Sequence, residues 1–85
     1  MSMVEAQILT RVIAPEDSSL DSKAAEAILT MGFKAADKQR INELGEKARL
    51  GTLTNEEQAE ADSYERVGHF ISLLKTKARQ SLAAS

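Results

Sequence analysis

The chain has 85 residues and a mass of 9.3 kDa, the size of one small domain or helical hairpin and not of two domains. It has no cysteine, which excludes disulfide scaffolds, thiolate zinc sites and cysteine nucleophiles. Eleven basic residues against thirteen acidic ones give a net charge of −2, with no global pull toward nucleic acid or anionic lipid.

No apolar run approaches the roughly 18 residues needed to span a bilayer. The start, Met1-Ser2-Met3-Val4-Glu5, lacks the basic patch and apolar stretch of a signal peptide, so a cytoplasmic location with no membrane partner is expected. A domain this short buries only about 60% of the surface its unfolded chain exposes. Phe33, Tyr64 and Phe70 are its only large aromatic rings. Oligomerisation or a partner chain is the remaining source of stability.

Residues 3–13 read two ways. Val4, Ile8 and Val12 fit one helical face, widened by Leu9 and Ile13, yet Val4, Ala6, Ile8, Thr10 and Val12 also alternate like a strand. Glu5, Ala6, Gln7 and Leu9 favour the helix. Pro15 and the polar residues 16–19 end this segment. A second helix is expected over 22–31, capped by Asp21, with Ala25, Ile28 and Leu29 on its apolar face. Gly32 is expected to stop it in a left-handed cap, with Phe33 folding back onto it. A third, polar helix is expected over 35–50, with Ile41, Leu44 and Ala48 as a thin stripe and Gly51 as its left-handed cap. Gly45, beside that stripe, costs about 1 kcal/mol relative to Ala.

The fourth segment starts at Leu53-Thr54-Asn55-Glu56-Glu57. Thr54 caps it, and Glu57 can reach back to complete a capping box. Acidic Glu56, Glu57, Glu60 and Asp62 lie at the positive end of the helix dipole, and Lys75, Lys77 and Arg79 at the negative end. A rod of about 40 Å is expected from Asn55 to about Ala83, with residues 81–85 a frayed tail. The expected fold is therefore a single all-α domain over residues 1–85, of three short helices and one long C-terminal helix, the strand alternative for 3–13 staying open.

Projected at about 100° per residue, Tyr64, Val67, Ile71, Leu74, Ala78 and Leu82 share one sector, and Phe70 and Leu73 widen it to about half the circumference. Tyr64, Val67, Phe70, Ile71, Leu73 and Leu74 are the expected partner-binding residues. The three–four spacing resembles a coiled-coil seam but lasts barely two heptads. A homodimer, a hetero-partner and a closed monomeric core all remain open. In either assembly, the acidic residues Glu56, Glu57, Glu60, Asp62 and Glu65 could meet a basic partner.

Chemistry is thin. His69 is the only imidazole, placed on the polar face to pair with Glu65, and one His with one carboxylate is no ligand set. No Ser, Thr or Lys has a paired base and no glycine-rich phosphate loop exists, so neither catalysis nor a cofactor is expected. Lys75, Lys77 and Arg79 are the candidate nucleic-acid contacts, but they frame the apolar sector instead of forming one stripe. A strand over 3–13 would suggest a dimeric ribbon-helix-helix DNA binder, against which its single basic residue, Arg11, counts.

The stretch Gly51-Thr52-Leu53-Thr54-Asn55-Glu56-Glu57-Gln58, followed by Tyr64-Glu65-Arg66-Val67-Gly68 and by Leu73-Leu74-Lys75-Thr76-Lys77-Ala78-Arg79-Gln80-Ser81-Leu82, resembles a family of short, largely uncharacterised bacterial proteins. Their pattern is G-T-L-T-x-E-E-Q, then Y-x-R-V-G, then L-L-x-x-K-A-R-x-S-L. Arg11-Val12-Ile13-Ala14-Pro15 and the stretch from Leu20-Asp21 to Gly32-Phe33 are also similar, so the likeness spans most of the chain. Where the family has a capping Ser or Thr after the Phe, Lys34 stands here. The resemblance implies a small accessory or antitoxin/immunity-like partner of a toxin-like or HNH-type nuclease, by gene association, and no catalytic residue. The expected function is a non-enzymatic protein–protein interaction module. The alternatives are a dimeric DNA-binding regulator and a structural subunit of an enzyme complex.

Overall fold

A computed structural model describes residues 3–84. They form α1 (Met3–Ile13), α2 (Ser22–Leu29), α3 (Ala35–Leu50) and α4 (Asn55–Ala84), with no strand among the described residues. The fold is all-α, and the strand alternative for 3–13 is overturned. Ala6, Leu9 and Ile13, at helical spacing, form the more enclosed side of α1, while Val4, Ile8 and Val12 stay exposed. Met1 and Ser2, part of the stretch read for a signal peptide, lie outside the described residues. Among the described residues, no helix is long and apolar enough to cross a membrane.

The helix ends follow local chemistry. α1 closes on Ala14, whose N–H donates to the Thr10 carbonyl at 2.9 Å in a left-handed conformation, φ 48°. Asp21, extended, accepts from the Ala24 N–H at 2.8 Å and opens α2. Its stop is not the expected one. Gly32 is not left-handed, and the helix ends at Leu29, where the Thr30 hydroxyl donates to the Ala27 carbonyl at 2.7 Å and draws the chain out of helical register. Gly51, in contrast, takes φ 71°, donates to the Ala48 carbonyl and ends α3 as expected.

Lys34 has the extended conformation of a helix cap but supplies no side-chain hydrogen bond. At α4, the Glu57 N–H donates to Thr54 Oγ1 and the Thr54 N–H donates to Glu57 Oε1, each at 3.0 Å, a complete capping box. α4 is helical to Ala84, and Ser81 is 3% exposed and accepts from the Leu20 N–H at 3.2 Å. Ser85 lies outside the described residues.

α4 is the spine of a body 48 Å long. α2 and α3 run back along it in series: Leu20 meets Ser81, the Phe33 ring meets Gly68, Asp37 meets Tyr64, and Lys47 meets Glu57. α1 runs with α4, its Ala6 beside Asp62–His69 and its Ile13 at Lys77. The tightest contact is α2 on α4, where Ala25 and Ala78 are both fully enclosed and small enough to let the helices approach. Beyond these two alanines and Ser81, only Ile13 and Leu44 are buried among the described residues, and no large side chain is completely so.

The consequence is a body with too much surface. Its radius of gyration is 15.4 Å, against about 12 Å for a compact chain of this length. Its accessible surface is 5918 Å², where a compact monomer of this mass has about 5,000 Å².

Candidate interaction surface

The site is built where α3 leaves α2 and turns alongside the first half of α4. Gly68 lacks a Cβ, and the Phe33 ring lies where one would make ordinary contact, 3.7 Å away. Phe33 then stands edge-on to Tyr64, ring centres 5.7 Å apart. The Tyr64 hydroxyl donates to Asp37 at 2.7 Å, and this acceptor raises its pKa. Further along, Arg40 holds Glu60 with two parallel bonds of 2.8 and 2.9 Å and also reaches Glu43 at 3.2 Å. Lys47 donates to Glu57 at 2.6 Å. That ammonium and the Thr54 N–H lower the Glu57 carboxyl to about 2, and Arg40 lowers that of Glu60. α3 is thus attached to α4 by polar bonds around one buried apolar residue, Leu44.

Six residues of α4 were expected at the interface, and the fold divides them. Tyr64, Ile71, Leu73 and Leu74 are half-buried within the chain, whereas Val67 and Phe70 are 48% and 39% exposed. Beside Val67 lies an open groove of about 500 Å³, lined by Gly32, Phe33, Ser63, Tyr64 and Ile71, with Lys34, Asp37 and Glu60 also on its wall. A second groove of about 370 Å³ lies between α3 and α4, lined by apolar Ile41, Leu44, Ala48, Leu53 and Ala61, with Gly45 open to it. The sequence reading placed Val4, Ile8 and Val12 on a helical face but did not single them out as exposed. They form an outward stripe on α1, 43–74% exposed, and Met3 beside them is 75% exposed. Their i, i+4, i+8 spacing was the available signal. It names a face without saying which way the face points.

Of the candidate nucleic-acid contacts, Lys75 and Arg79 lie one turn apart on the same side of α4 and Lys77 points elsewhere. Lys77 is half-buried and donates to the Ile13 carbonyl at 2.7 Å, compensating the negative end of α1. Lys75 lies against Gly32, and Arg79 is exposed near Thr76. The acidic set is divided as well: Glu57 and Glu60 are held by α3, and Asp62 accepts from Gln58 at 3.0 Å. His69 lines a surface cleft of about 380 Å³ with Ala6, Asp62, Glu65 and Arg66. Among the described residues, no group of three or more His, Asp or Glu is arranged to hold a metal ion. No family model, curated protein or solved structure matches the chain.

Proposed function

We infer that the protein is a non-enzymatic interaction module whose docking surface is the exposed middle of α4, centred on Val67 and Phe70. The observation that carries this reading is the surplus of about 900 Å² over a compact monomer, together with a core in which, among the described residues, no large side chain is completely buried. Within that surplus Val67 and Phe70 are exposed apolar side chains beside a groove, the kind of surface that marks protein–protein contact sites. A standard interface takes about 800 Å² from each partner, so one docking event accounts for the surplus. An aromatic anchor beside a groove is the usual form of an energetic centre. The narrower reading, that the partner is a toxin-like or HNH-type nuclease, is supported by the family resemblance alone.

Phe70 is 39% exposed, so Phe70→Glu places a charge in the contact, and the helical circular dichroism of the variant checks that the fold is kept. The wild-type chain, alone or in its native extract, is expected to travel in an assembly heavier than 9.3 kDa, and Phe70→Glu as the single chain with unchanged helical circular dichroism. A wild-type chain that stays single and fully helical in both settings would contradict the reading.

A further inference from the structure

We propose that α1 is a strap: it swings off α4 about Ala14 while α2, α3 and α4 stay folded, and its release widens the docking face. Three observations carry the proposal. The first is a lopsided seat. Of the eleven residues of α1 only Ile13, the last, is buried, and Met3, Val4 and Val12 are 62–75% exposed. Between Ala6 and the row Asp62, Glu65, Arg66 and His69, a cleft of about 380 Å³ parts the first half of α1 from α4. The apolar burial that resists opening is concentrated at one end. The second is a latch at that end. Lys77 Nζ donates to the Ile13 carbonyl at 2.7 Å, one of the carbonyls a helix leaves without an internal partner, and places an ammonium at the negative end of the α1 dipole.

The third is the hinge. Ala14 takes φ 48°, a left-handed conformation that crowds its Cβ, and is the only non-glycine residue with positive φ among the described residues. The turn it begins is closed by the Asp17 N–H on the Ala14 carbonyl at 2.9 Å and leads into exposed residues 16–19. That strain is held only while α1 is seated, so it favours release. α2 is fastened differently: Asp21 caps its entry and Ala25 is wholly enclosed. Opening α1 therefore costs less than unfolding the rest. The consequence for docking rests on the reading above. Lys77 lies two turns after Phe70 on one face of α4, so the latch adjoins the exposed pair. With α1 seated a partner meets Val67 and Phe70; with α1 released it also meets the flank around Lys77.

Native-state amide exchange of the full chain, read by NMR, tests the strap. The amides of residues 7–13 are expected to exchange through one common opening, roughly tenfold faster or more than those around Ala25 and Ala78. Two variants should move that opening in opposite directions and leave α2 unchanged. Ala14→Gly, suited to a left-handed turn, should slow it about fivefold. Lys77→Met, which keeps the stem and loses the latch, should speed it about fivefold. The assembly is expected to be tighter in Lys77→Met than in Ala14→Gly. Exchange of α1 at the rate of Ala25 and Ala78, or variants that shift both regions alike, overturns the strap and leaves the docking reading standing. Opposite shifts with equally tight assemblies overturn the widened face. Should no assembly form, the docking reading and the widened face fall together, while the strap is still decided by its exchange.

Discussion

Glu57 is the most heavily engaged side chain on α4, with Thr54 and Lys47 both donating to its carboxylate. Because its pKa is lowered from 4.5 to about 2, the ionised form is favoured by folding. Its contribution is complete above the ordinary carboxylate value and is lost as pH falls through about 2. Glu60, lowered by Arg40, acts in the same direction. Acidification from pH 4.5 toward 2 should therefore loosen α3 from α4 before α2, which among the described residues has no ion pair with α4. Tyr64 is the only tyrosine and there is no tryptophan, so its emission reports on this region, and Glu57→Gln should flatten the acid titration. A second prediction concerns Lys34, which has a cap's backbone without a cap's oxygen. Lys34→Ser should stabilise the fold by about 1 kcal/mol, read as a rise in Tm of roughly 4–8 °C.

Among the elements, the α2–α4 crossing tolerates least. Ala25 and Ala78 have no exposed surface, so added volume there has nowhere to go. Ala78→Leu should destabilise by about 1–3 kcal/mol, measured by urea unfolding, with α2 losing amide protection first. Most element boundaries were legible because their signals are local. Asp21, Gly51 and the Thr54–Glu57 box each act within five residues of themselves, and each does what its residue type implies. The end of α2 was misread because two local signals competed: the hydroxyl of Thr30 acts before Gly32 is reached. The role of Lys77 was not legible at all, since the carbonyl it satisfies lies 64 positions away in the chain.

At the scale of the molecule, a helical projection reveals how wide an apolar sector is and not which part of it neighbours will cover. Half the circumference of α4 read as apolar. α2, α3 and α1 take Tyr64, Ile71, Leu73 and Leu74 into partial shelter and leave Val67 and Phe70 outside. The division follows from lengths: α2 has 8 residues and α3 16, set in series beside a spine of 30, with α1 adding 11 on another side. The candidate site is the remainder of that covering, and it could not be read without the placement of every other helix. If docking completes the fold, stability rises with the concentration of whatever docks, a second copy or another chain. The unfolding midpoint followed by pulse proteolysis over a roughly hundredfold dilution, of the purified chain and of its native extract, measures this directly. The account predicts a wild-type midpoint that falls on dilution in at least one of the two and a Phe70→Glu midpoint that stands still in both. A wild-type midpoint unchanged by dilution in both would contradict it.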